Sequence, residues 1–373
     1  MTAVFVVNSG SSSIKYQLLD VETGEVELTG LVDRIGETGE APDHTAALAS
    51  ILPQVVGRPI AAVGHRVVHG GALFASATLV DADVEAAIEK LSALAPLHNP
   101  ANLLGIRAAR AALPEVPHVA VFDTAFHQTM PASAYTYALP VELADHFGVR
   151  RYGFHGTSHK YVSERTALFL EKPLDSLRTI VLHLGNGASM AAIAGGISVD
   201  TSMGFTPLQG LVMGTRSGDL DPAVLLHLQR EAGLSVDELD DLLNKRSGLL
   251  GLTGSGDMRD VQRFAIEGDP AAVLALRVWA HRIRHYVGAY TAQLGGVDAL
   301  VFTAGVGENS AYLRSLALAG LEFIGISVDP ALNAAPSRGE RRISPAGAPV
   351  DVLVIPTNEE LEIARQTLAL VGE

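Results

Sequence analysis

Two stretches of this chain share one design, and no other feature of the sequence limits its fold as severely. Residues 4–20, VFVVNSGSSSIKYQLLD, and residues 180–196, IVLHLGNGASMAAIAGG, each run apolar strand, small polar turn, apolar strand. Self-similarity at that separation predicts a duplicated domain, with one turn from each half facing a shared cleft. The turns suit phosphate, because backbone N–H groups of Gly-rich, hydroxyl-rich loops approach an anion without side-chain obstruction. They are not Walker loops: Lys15 is followed by Tyr16, Gln17, Leu18 and Leu19, an alternation that reads as a strand and not as a helix. Taken alone, the first copy reads as an ordinary β-hairpin sooner than as a phosphate loop.

Each copy leads into further strand-like segments, GEVELTGLVDRIG and GGISVDTSMGF, and then into α/β units. AAVGHRVVHGG and HVAVFDTAFH read as strands and DVEAAIEKLSALA as a helix. In the second half, DPAVLLHLQREAG and the long PAAVLALRVWAHRIRHYVGAYTAQLGG read as helices, the latter with Trp279, Tyr286 and Tyr290 as core or interface. VDALVFTAGVGENS and VDVLVIPTNEELEIARQTLALV pass from strand to helix, so the expected class is α/β, with mixed sheets flanked by helices. A seam is expected near residues 125–151, and residues 331–349 read as a surface excursion.

A chain of 373 residues exceeds one hydrophobic core, which also points to two domains. Its net charge of −14, from 41 acidic and 27 basic residues, argues against general attraction to nucleic acid or an anionic membrane. Any anionic ligand must be captured locally. The sequence has no cysteine, hence no disulfide or thiolate chemistry, and its N-terminal apolar run, Val4–Val7, is too short for a signal peptide. The charge-poor stretch TIVLHLGNGASMAAIAGGISV is broken by Gly185, Asn186, Gly187, Gly195 and Gly196, so no transmembrane helix is expected and the cytoplasm is the expected location.

Several residues in this frame carry chemistry. Arg66 in GHRVVHGG and Arg216 in GTRSGDLDP are either solvated or poised to grip a carboxylate or phosphate in a bidentate fork. Asp123 closes an apolar strand, where it either caps a turn or faces a ligand beyond the carboxyl end of the sheet. His98, His155 and His183 stand in similar Gly- or Pro-flanked settings, and the His155/His159 pair lacks the intervening Glu that a zinc protease helix needs. Gly305, Gly307 and Asn309 lie where a strand gives way to a helix, as an anion site or a plain cap. Glu359 and Glu360 suit a first helical turn by dipole alone, or hold magnesium.

NSGSSSIKY, GHRVVHGG, PLHNP, VFDTAFHQTMP, RYGFHGTSH, HLGNGAS, TSMGFTPLQGLVMGTRSGDLDP, FTAGVGENS and IPTNEEL, in that order, resemble the acetate kinase family across essentially the whole chain. The resemblance implies two duplicated ribonuclease H-like domains of the actin and Hsp70 ATPase type around a nucleotide cleft. Residues 1–126 with 361–373 would form the first domain and residues 127–360 the second. It implies a homodimer, magnesium with manganese as a substitute, ATP and ADP as co-substrates, and reversible formation of acetyl phosphate from acetate. By motif matching, Arg66, Asp123, His155 and Arg216 resemble the catalytic group, and Asn8 and Glu359 the metal residues. Ser11, Ser13, Lys15, His183, Leu184, Gly185, Asn186, Gly187, Asp257, Met258, Arg259, Gly305, Val306, Gly307, Glu308 and Asn309 match the nucleotide-binding segments. Arg66, Val68, Leu97, Phe154 and Pro207 match the wall of the acetate pocket.

The chemistry agrees with this assignment. Acetate is ionised at neutral pH, so no base is needed to make the nucleophile, and Asp123 is expected to position metal or substrate. Arg66 would hold the acetate, while Arg216 and a hydrogen bond from His155 stabilise the equatorial phosphoryl oxygens. Two departures stand out: residues 34–59 look short for the family, and Met258 stands where some members carry an aromatic, which predicts modest nucleotide discrimination. The nearest rivals are propionate or butyrate kinases of the same family, separated from it by pocket walls worth ~1 to 3 kcal/mol per methylene. A non-metabolic ATPase of the actin or Hsp70 type is the distant one.

Overall fold

A computed structural model describes residues 3–10, 13–36, 41–96 and 98–372. Two compact units emerge, the first from residues 1–128, 154–161 and 358–373, the second from residues 129–153 and 162–357. The first unit is built on β1 (Ala3–Ser9), β2 (Ile14–Asp20), β3 (Val26–Val32), β4 (Ala62–Val67), β5 (Thr78–Leu79) and β6 (His118–Phe122), in the order β3-β2-β1-β4-β6-β5. Strands β1, β4 and β6 run parallel; β2, β3 and the edge strand β5 run antiparallel to their neighbours.

The second unit repeats this plan strand for strand. Its sheet comprises β7 (Arg178–Leu184), β8 (Ala188–Ala194), β9 (Ile197–Thr201), β10 (Ala299–Thr303), β11 (Arg341–Arg342) and β12 (Asp351–Val354), in the order β9-β8-β7-β10-β12-β11. Strands β7, β10 and β12 are parallel, and β8, β9 and β11 antiparallel. Even the short edge strand that precedes the last parallel strand is duplicated. The expected α/β class, with mixed sheets flanked by helices, is what the structure has.

Burial explains why the central strands read as near-continuous apolar runs. Ala3, Phe5 and Val7 face a core shared with Leu48 and Ile51 of the helix His44–Ile51. The helix Glu359–Val371 packs on β1, β4 and β6, and it sits so close that a Cβ on Gly64 would lie 2.6 Å from Thr367 Oγ1. In the second unit, the helix Pro270–Gln293 packs on β7 and β8 and buries Trp279 and Tyr290. Those aromatics are core of the unit, and Tyr286 is half-buried. Residues 331–349 are not a simple excursion, because they contain β11 and bury Asn333 and Ile343. Among the described residues no helix is long and apolar enough to cross a membrane; the stretch TIVLHLGNGASMAAIAGGISV forms β7, β8 and most of β9.

One buried pair makes this sheet sensitive to acid. His65 on β4 and His118 on β6 stack at 5.2 Å, with His65 Nε2 2.9 Å from His118 Nδ1. His118 Nε2 must donate to the Leu113 carbonyl at 3.1 Å, so His118 Nδ1 accepts from His65 and both rings are neutral. Burial, reinforced for His65 by His118 and Arg110, lowers both pKa values. The sign follows: below about pH 6.5 the unfolded chain takes up protons that the folded chain refuses, so stability present above that pH is lost as pH falls. Urea unfolding at pH 7.5 and 5.5 should show this loss, and His65→Gln should reduce it. An unchanged pH dependence in the variant would contradict the assignment.

Candidate active site

In the first unit, chemistry gathers at the carboxyl ends of the three adjacent parallel strands, where open α/β sheets bind ligands. Asn8 lies near the end of β1, Arg66 near the end of β4, Asp123 directly after β6, and Glu359 opens the C-terminal helix. Arg66 donates to Asp123 through Nε (3.2 Å to Oδ1) and Nη2 (2.5 Å to Oδ2), and through Nη1 to Asn8 Oδ1 at 3.1 Å. Thr157 Oγ1 donates to Asp123 Oδ1 at 3.2 Å. A guanidinium has five N–H groups. Three are committed here, leaving one on each terminal nitrogen for a second anion. Asn8, expected at the metal, is in this structure the acceptor that orients Arg66.

Glu359 Oε2 stands 3.9 Å from Arg66 Nε. Burial, with Asp123 and Glu360 adding repulsion against the pull of Arg66 and Lys15, pushes its pKa up to about 7. Burial alone would lower the Arg66 pKa, but Asp123, Glu359 and Glu360 outweigh it and raise the value. Lys15, on β2, places Nζ 2.5 Å from Glu360 Oε1 while half its side chain stays exposed. This cluster holds more carboxylates than cations at neutral pH, all its ligating atoms are oxygens, and one carboxylate ionises reluctantly. Those are the properties that a hard divalent cation relieves.

The other first-unit residues frame this cluster. His155 has φ +56° just before the helix Gly156–Leu170, a strained backbone locked by the Gly156 N–H bonded to the Asp123 carbonyl at 2.9 Å. A Cβ on Gly156 would collide with that carbonyl. Val68 is buried with its N–H on Asn102 Oδ1 (3.0 Å), and Phe154 is buried against His69. Ser13 closes the first turn by accepting from Gly10 N–H at 2.7 Å. Ser11 and Leu97 lie outside the described residues.

In the second unit, Gly185, Asn186, Asp257, Met258, Arg259, Gly305, Val306 and Asn309 line one cavity of about 1060 Å³. That volume admits a nucleoside with its phosphates. The other matched residues of this unit, His183, Leu184, Gly187, Gly307 and Glu308, are chain neighbours of that lining. His183 and Leu184 are buried on β7, Gly187 accepts from Gly185 N–H at 3.1 Å, and Gly307 is buried. Glu308 Oε1 accepts from Thr357 N–H at 3.2 Å. Asp257 caps the helix Met258–Ile266 and, held by Arg259, has its pKa lowered to about 2. Sequence reasoning missed Gln262 and Tyr312 in this lining. Gln262 arrives there because Ser310 Oγ bonds its Oε1 at 2.7 Å across 48 residues, a contact with no local signature.

Arg216 is also in the second unit, on the loop that follows β9. Its Nη1 donates to the Pro207 carbonyl at 2.8 Å, burial lowers its pKa, and no carboxylate pairs with it among the described residues.

The comparisons fit this geometry. A family model described as the Acetokinase family matches residues 3–365. A protein of Leifsonia xyli subsp. xyli named acetate kinase is 62% identical over 100% of both chains. The crystal structure of Porphyromonas gingivalis acetate kinase covers 100% of both chains at 44% identity and TM-score 0.94. That of a propionate kinase from Francisella tularensis subsp. tularensis covers 99% of this chain and all of its own at 43% identity and TM-score 0.92. With two duplicated sheets, carboxylates and arginine at the strand ends and a nucleotide-sized cavity, this chain belongs to the acetokinase family.

Proposed function

We propose that the chain transfers the γ-phosphoryl group of ATP reversibly to acetate, giving ADP and acetyl phosphate, with magnesium as its cation and manganese as a substitute. The observation that carries this reading is the state of Asp123. Its carboxylate accepts twice from Arg66 and once from Thr157, so it is engaged in positioning and not presented as a base. An alcohol acceptor needs a base, whereas a carboxylate arrives ionised. The family's assembly as a homodimer is part of the proposal, as is a cytoplasmic location, which suits a chain without cysteine.

In this mechanism an acetate oxygen forms the new bond to the γ-phosphorus while the bond to the β,γ-bridging oxygen breaks, and ADP leaves with that electron pair. Arg66 holds the acetate through its two uncommitted N–H groups. Arg216 and His155 stabilise charge on the equatorial oxygens. Val68, Leu97, Phe154 and Pro207 exclude water around the methyl group. In the second unit, the turn 183–187, the segments 257–259 and 305–309 and their cavity hold the nucleotide; in the first, Ser11, Ser13 and Lys15 serve its phosphates. Glu359 and Asp123, with Asn8, would hold the magnesium, which when bound would supply positive charge against the negative charge of the phosphates.

Because burial pushes the Glu359 pKa up to about 7 while no magnesium is bound, protons compete with magnesium below that value, and activity at subsaturating magnesium should fall by up to about tenfold per pH unit. Glu359→Gln, at whatever residual rate, should lose this limb; retention of it would place the titration elsewhere. The proposed reaction itself is tested by phosphorus NMR of a mixture with MgATP and acetate. Acetyl phosphate and ADP should appear together and revert when ADP is added. Release of inorganic phosphate without acetyl phosphate would contradict the proposal.

A further inference from the structure

Arg66 and Arg216 are aimed by different means. Arg66 is fixed by an ion pair, but among the described residues Arg216 has no carboxylate, and its Nη1 rests on one backbone carbonyl, that of Pro207. Its direction therefore depends on how the segments 207–210 and 216–219 are held together. Two reciprocal bonds join them at the neck: Gly210 N–H donates to Asp219 Oδ1 at 3.0 Å, and Asp219 N–H donates to the Gly210 carbonyl at 3.0 Å. Gly218, at φ +72°, makes this closure feasible, since a Cβ there would lie 2.5 Å from the Leu211 carbonyl oxygen.

The neck is in turn fastened to the longest helix of the chain. Asp219 Oδ2 accepts from Tyr286 OH at 2.8 Å and faces Arg282 Nη1 at 3.4 Å, both on Pro270–Gln293. That helix is immobilised by Trp279, Ile283, Val287 and Tyr290, all buried. Burial and Asp219 together raise the Tyr286 pKa, so its hydroxyl stays a donor across the working pH range. Other backbone bonds secure the tip: Gly214 N–H to the Asn186 carbonyl at 3.0 Å and Ser217 N–H to the Leu243 carbonyl at 3.1 Å. These, with Met213 N–H on the Arg216 carbonyl at 3.1 Å and Ser247 N–H on the Thr215 carbonyl at 2.9 Å, fix the Arg216 end of the loop, and the neck ties the segment that carries Pro207 to it.

We propose that Asp219, braced by Tyr286, is a positioning residue for Arg216: it closes the neck of the 210–219 loop and so sets the guanidinium where transferred charge develops. The inference rests on the role given to Arg216 above. The Asp219 carboxylate is taken up by Gly210, Tyr286 and Arg282, so its loss should appear in kcat and not in binding, and only as long as Arg216 is present.

The test is a double-mutant cycle with steady-state kinetics for acetate and MgATP. Asp219→Ala should lower kcat by about tenfold to a hundredfold, with both KM values within about threefold of the parent. Tyr286→Phe, nearly the same shape and lacking one hydroxyl, should lower kcat by about threefold to tenfold and carries the same cycle if the first variant does not fold. Combined with Arg216→Ala, either change should slow the enzyme by no more than about twofold further. An undiminished kcat in both single variants would overturn the inference, as would full multiplicative effects in the double variants. A normal kcat in Arg216→Ala alone would instead overturn the role of Arg216 on which it stands.

Discussion

Replacing Arg216 by alanine should lower kcat by on the order of a hundredfold or more and leave the acetate KM nearly unchanged. The expected size follows from the arginine's surroundings. Its guanidinium is desolvated and unpaired among the described residues, with one neutral carbonyl as its acceptor, so nothing nearby offsets its charge. In such a setting a donor aimed at developing charge is worth about 3 to 4 kcal/mol, because it needs no reorganisation as the transition state forms. Arg216→Lys should recover only part of the loss, since an ammonium keeps the charge but not the fork. Steady-state kinetics in both substrates check this. A change confined to the acetate KM would assign Arg216 to the acceptor and leave the phosphoryl oxygens without this donor.

Asp123→Asn should abolish activity at every pH from about 6 to 9. The substitution keeps the shape and an acceptor for Thr157, but it takes from the largely buried Arg66 its hydrogen-bonded counter-charge and leaves only the more distant Glu359, at 3.9 Å. Unpairing one partner of a buried ion pair costs about 3 to 5 kcal/mol. It also frees the guanidinium from the one side chain that accepts two of its N–H groups, so Arg66 no longer presents a fixed pair to the acetate. Rising pH repairs neither defect. If the rate instead climbed with pH, solvent hydroxide would be replacing a lost base, and the positioning role would be wrong. A thermal melt run beside the kinetics separates loss of fold from loss of rate.

What the sequence made legible was what keeps one character over a whole strand. Strands β1, β7 and β8 are near-continuous apolar runs and β2 alternates, each over seven residues and bounded by Gly-rich turns, so both hairpins and the duplication could be read directly. The edge strands β5 and β11 have two residues each, too few for any period, and β11 lay hidden in a stretch that reads as surface loop. At the site, the matched motifs named Asn8, Arg66, Asp123 and Glu359, and the structure brings them together. Their partnerships were not legible. That Asn8 would orient Arg66 depends on β1 and β4 being parallel neighbours, a tertiary fact. Gln262, Tyr312 and Asp219 escaped notice for the same reason: each acquires its place through a residue or cavity wall distant along the chain.

The central claim is that the acceptor is a small carboxylate already ionised when it binds. Its most direct test is ADP release with MgATP, comparing kcat/KM for acetate, propionate, butyrate and glycerol at neutral pH. The account predicts that acetate ranks first, each added methylene costs up to about a hundredfold, and glycerol is inert. Glycerol turnover above the background without acceptor, or a kcat/KM that rises from acetate to butyrate, would contradict it.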